Sequence, residues 1–124
     1  MLTLLMVAKE KDLLAVLADE LSKKPQVSIV WAQSQQEALA RIETDAPQVV
    51  VVGKSLTDSP GLPFIKEVIK RDPFINCALV SPLTEEEFHE ETEGLGVFMH
   101  LPVNPGAQES ERMLRLLESI GVGQ

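Results

Sequence analysis

Four consecutive valines, Val49–Val52, constrain this chain more than any other feature. A strand apolar at every position has no face to give to water, so it belongs inside a parallel sheet covered on both sides. The flanking sequence supplies the rest of such a sheet. Leu2–Ala8, Val27–Trp31, Cys77–Val80 and Val97–Leu101 are further short apolar segments, each followed by a stretch with helical spacing. Five βα units in 124 residues predict one α/β domain over 1–124. Five strands are too few for a closed eight-stranded barrel. They fit a doubly wound, flavodoxin-like sheet of order 2-1-3-4-5.

The helices carry their own start signals. Ser34-Gln-Gln-Glu37 and Thr84-Glu-Glu-Glu87 are capping boxes, in which a hydroxyl takes an N–H and the glutamate reaches back. Leu13, Leu14, Leu17 and Leu21 follow at helical spacing and mark the first helix, and Ala38, Leu39 and Ile42 give the second its apolar stripe. Pro60-Gly61 opens the third, with Leu62, Ile65, Val68 and Ile69 facing inward. In the fourth, Phe88 and Leu95 are the only clear anchors among six glutamates. In the last, Met113, Leu114, Leu116, Leu117 and Ile120 spread over roughly 160°, wider than one core needs. Leu116 is expected at its exposed margin.

Charge and cysteine use exclude several functions. One cysteine, Cys77, rules out an internal disulfide, a CxxC redox pair and a multi-cysteine zinc site. The net charge of −8 argues against direct nucleic-acid binding and against an acidic membrane surface. No apolar run approaches the ~20 residues of a membrane helix, and no signal-peptide pattern opens the chain, so a cytoplasmic protein is expected. The charge is also uneven. Residues 1–83 carry nine Lys/Arg and ten Asp/Glu, whereas residues 84–124 carry two and nine, a net of −7.

In doubly wound folds, ligands sit at the carboxyl ends of the strands. Here those ends read Ala8-Lys9-Glu10, Gln33, Gly53-Lys54-Ser55, Ser81-Pro82 and His100-Leu101-Pro102. Together with Glu37-Ala38-Leu39, Ala46-Pro47-Gln48 before the valines and Gly61 eight residues after Gly53, they resemble the receiver domain of two-component response regulators over essentially the whole chain. The resemblance implies a signalling role. It also implies a phosphorylation pocket of two acids after strand one, an acceptor aspartate after strand three, a Ser or Thr after strand four and a Lys-Pro pair after strand five. This chain has Ala8 and Lys9, then Gly53, Ser81, and Leu101-Pro102 at those places. Mg²⁺ requires carboxylate oxygens, and glycine has nothing to phosphorylate. The chain therefore resembles a pseudo-receiver with a degenerate pocket, needing no metal and no cofactor.

Other chemistry is thinly represented. Asp58 precedes Ser-Pro-Gly and suits a turn better than a displaced phosphoacceptor. Ser81 and His100 end neighbouring strands, but no acid is evident in the sequence to orient the histidine for nucleophilic work. Lys9, Lys54 and Ser81 could gather a small anion at the old phosphate site. Glycine-rich dinucleotide and phosphate loops and HExxH are all absent. Lys9-Glu10-Lys11-Asp12 is also unlike the flavin phosphate loop of flavodoxins. The favoured reading is a noncatalytic module that works by protein contact. Its expected partner, another protein or a second copy, meets the face of the fourth helix, fifth strand and fifth helix through Glu86, Glu90, Glu91 and Leu116. The alternative is a small-ligand sensor or cryptic enzyme using Lys9, Lys54, Ser81 and His100.

Overall fold

The computed structural model describes residues 2–122. Its strands are β1 (Leu2–Val7), β2 (Val27–Ala32), β3 (Val49–Val52), β4 (Asn76–Val80) and β5 (Val97–Leu101). The helices between and after them are α1 (Asp12–Ser22), α2 (Gln35–Asp45), α3 (Gly61–Arg71), α4 (Glu85–Thr92) and α5 (Ala107–Ser119). All pairings are parallel, in the order β2-β1-β3-β4-β5. This is the order of the doubly wound, flavodoxin-like sheet expected for five strands. Among the described residues no helix is long and apolar enough to cross a membrane.

The valine strand occupies the centre, where its composition requires it to be. All four of its residues are fully buried. The pleat divides them between two cores. Val49 and Val51 join Leu4, Met6, Leu14, Leu17, Met113 and Leu117 beneath α1 and α5. Leu13, expected with the apolar positions of α1, is instead 42% exposed. Val50 and Val52 join Leu5, Ala38, Phe64, Ile65, Val68 and Phe88 beneath α2, α3 and α4. The edge strand β2 is half-buried except at Ala32.

The caps differ in detail from the sequence pattern. Thr84 and Glu87 form the full reciprocal box that starts α4. At α2, Ser34 Oγ accepts the Glu37 N–H at 3.0 Å, but the Glu37 carboxylate reaches past the cap to the Gln33 N–H at 2.7 Å. The buried residues of α4 are Phe88 and Thr92. Leu95, expected as the second anchor, lies beyond the helix and is half-buried. Thr92 takes its place because its hydroxyl donates to the Phe88 carbonyl at 2.8 Å and leaves the methyl to pack. On α5, Leu116 is half-buried against the α1 side of the core. The exposed apolar residue is Ile120, 52% accessible, so the expected margin lies one turn further along.

Candidate functional site

The carboxyl ends of the strands are joined by backbone hydrogen bonds. Gly53 N–H donates to Val7 O at 2.8 Å, Lys9 N–H to Ser55 O at 3.0 Å, and Gly61 N–H to Lys54 O at 2.9 Å. Between β1 and β3 the packing is close. Ala8 is 2% exposed, and a Cβ placed on Gly53 would stand 3.1 Å from the Ala8 Cβ. That is tighter than ordinary van der Waals contact, so the backbones approach here because Gly53 has no side chain. Gly61 is held more tightly still, since a Cβ there would run into the Gly53 carbonyl oxygen.

The remaining pocket positions point to different surroundings. Lys9 and Lys54 are exposed, and neither forms an ion pair among the described residues. Leu101 is fully buried in the α1–α5 core, and Pro102 is exposed. Ser81 is buried, its N–H donating to Leu101 O at 3.0 Å and its Oγ accepting the Leu83 N–H at 3.2 Å. A hard divalent cation does not fit this donor set. Ala8 offers no ligand and Lys9 repels the charge. Among the described residues no group of three His, Cys, Asp or Glu side chains could hold a metal ion.

His100 belongs to a different cluster from the one its sequence position suggested. Its Nε2 is 2.8 Å from the Ser81 main-chain oxygen, not from the hydroxyl. A carbonyl can only accept, so Nε2 carries a proton there. With the hydroxyl serving Leu83, no Ser–His nucleophile pair forms. An acid is present after all: Glu85 Oε1, at the start of α4, lies 3.2 Å from Nδ1. The approach lacks hydrogen-bond geometry, so Nδ1 has a charged neighbour without a hydrogen-bond partner. The imidazole also stacks on Phe88, with centroids 4.0 Å apart and planes 6° from parallel. His100 thus anchors α4 to β4 and β5.

Asp58 is also accounted for. Its carboxylate accepts the N–H of Gln35 at 2.7 Å and of Gln36 at 3.3 Å, capping α2 from the β3–α3 loop. The Gln35 N–H is the main cause of a pKa below the usual carboxylate value, with partial desolvation opposing it. Cys77 lies deep in the α3-side core, where burial pushes its thiol up to about 12. Such a thiol is almost entirely protonated at neutral pH and is a poor nucleophile.

Comparison with solved structures places this geometry in a known fold. The response regulator domain of Thermotoga maritima CheB superposes with a TM-score of 0.79 at 21% identity, covering 98% of each chain. A chemotaxis response regulator of Vibrio cholerae gives 0.80 at 19% identity over 94% of this chain and 99% of its own. NtrX from Brucella abortus gives 0.81 at 24% identity over 96% of this chain and 27% of its own. The chain has the fold of response-regulator receiver domains. Among curated proteins it is 31% identical over 72 residues to the DNA-binding transcriptional activator DevR/DosR of Mycobacterium tuberculosis. That match covers 57% of this chain and 33% of the relative, so the chain aligns with about a third of that protein. No family model matches the chain.

Proposed function

We propose that this chain is a receiver-fold signalling module that works without an aspartyl phosphate and without catalysis, by contact with a protein partner. The observation that carries the reading is Gly53, closely packed against Ala8 where the receiver resemblance implies a phosphoacceptor. With no acceptor, no metal ligands and Leu101 in place of the pocket lysine, the usual input chemistry keeps only Ser81 and Pro102 of its parts.

The output side is the face of α4, β5 and α5. Residues 84–124 hold a net −7, and Glu86, Glu90 and Glu91 are exposed on α4, Glu91 on the side that borders α3. Ile120 adds an exposed apolar side chain at the end of α5. Such a face suits a partner with a basic rim, since complementary charge speeds and selects association. The acidic surface is a poor match for direct contact with nucleic acid.

The test is cross-linked capture from the source cells. Replacing Glu86, Glu90 and Glu91 with lysine, or raising the salt, should slow association, and Ile120→Asp should speed dissociation. Capture that survives these changes but is lost on Lys9→Ala or Lys54→Ala would move the site to the strand ends.

A further inference from the structure

Between the ends of α3 and α4, beside the last residues of β4, lies a groove of about 370 Å³. Its volume falls in the ~300–1,000 Å³ range of small-molecule sites. The walls are Pro60 and Leu62 of the α3 end, Leu79 of β4, Leu83, and Phe88 of α4. The Phe88 ring is held in place by its stack on His100. Shape and apolarity therefore come from fixed elements.

The polar groups are few and differ in what they have left to offer. Thr92 donates its hydroxyl to Phe88 O and has no proton free. Ser81, 8% exposed, accepts from Leu83 N–H, and its own hydroxyl proton meets no acceptor among the described residues. A buried donor in that state gains from a ligand acceptor. Lys54 lines the same groove and forms no ion pair among the described residues. The adjoining α3 starts without a side-chain cap or an acid in its first turn, so its N-terminal dipole adds a modest positive contribution there. Its first N–H, on Gly61, already serves Lys54 O. Glu91, also in the lining, repels negative charge, and so disfavours a doubly charged occupant more than a singly charged one.

We infer that this groove binds a small apolar monocarboxylate, with an aromatic or branched body against Leu62, Leu83 and Phe88 and its carboxylate toward Lys54 and Ser81. Lys9 is not part of the lining. The inference is independent of any protein partner, so it and the reading above can fail separately.

Titration of ¹⁵N-labelled protein with 3-phenylpropanoate, its neutral amide and inorganic phosphate tests it. The acid should give saturable shifts at the Leu62, Leu83 and Thr92 amides, the neutral amide should bind about tenfold more weakly, and phosphate should leave them unmoved. Lys54→Glu should weaken the acid about tenfold and spare the amide, and the groove-filling Leu83→Trp should abolish both. No saturable shift at these amides, or shifts confined to a separate cavity that Lys24 and Arg115 line with Leu2 and Leu117, would overturn the site. Equal affinity for acid and amide, or an acid affinity unchanged in Lys54→Glu, would overturn the ligand class.

Discussion

The carboxylate of Asp58 accepts the backbone N–H of Gln35 at 2.7 Å across 23 positions of sequence. An aspartate in the loop after β3 thereby completes the cap that Ser34 begins on α2. Because the folded state lowers the Asp58 pKa, its contribution is present above the unfolded value of about 3.9 and is lost as pH falls through the folded one. Asp58→Asn should lower the melting temperature at neutral pH, and the gap to wild type should close in acid. Thermal denaturation at several pH values reads both. A gap that does not depend on pH would mean the charge plays no part.

Gly53 and Ala8 should be energetically coupled. Gly53→Ala places a methyl 3.1 Å from the Ala8 Cβ between two central strands that have little room to yield. A cost of about 1–3 kcal/mol is expected from overpacking. Ala8→Gly in the same chain should recover part of it, whereas two independent sites would simply add. Urea denaturation of the four-member cycle gives the coupling directly.

His100 should matter more to α4 than to the whole domain. The helix is eight residues long and buries only Phe88 and Thr92. His100→Ala removes the stack and the bond to Ser81 O, at a cost of about 1–3 kcal/mol. Hydrogen exchange at the α4 amides should accelerate in His100→Ala and recover in part in His100→Phe, which keeps an aromatic ring against Phe88. Uniform acceleration across all strands would show a global loss instead.

The fold was legible because its signals are local. The valine run, the helical stripes and the two hydroxyl caps are each written within a few residues of one another, and they mark the elements and the faces that they bury. Apart from the local shifts at Glu37 and Thr92, the departures involve distant partners. Nothing near Asp58 announces that Gln35 will lie against it, and nothing near His100 announces the Ser81 carbonyl, Glu85 or Phe88. Leu116 and Ile120 have similar side chains on one helix, and only the position of α1 decides which is covered. At the candidate site the sequence identifies the residues at each strand end. It does not show that Ala8 and Gly53 are in close contact, or that Lys54 and Ser81 share a groove while Lys9 stands outside it.

The absence of aspartyl phosphorylation is the centre of this account, and intact mass tests it most directly. The protein is incubated with acetyl phosphate and Mg²⁺ and its mass is measured without acid hydrolysis. The predicted result is the unmodified mass alone, for the wild type and for Gly53→Asp, because Ala8, Lys9 and Leu101 still supply neither metal ligands nor a phosphoryl partner. A stoichiometric, base-labile gain of about 80 Da on the wild-type chain, the mass of one phosphoryl group, would contradict the account.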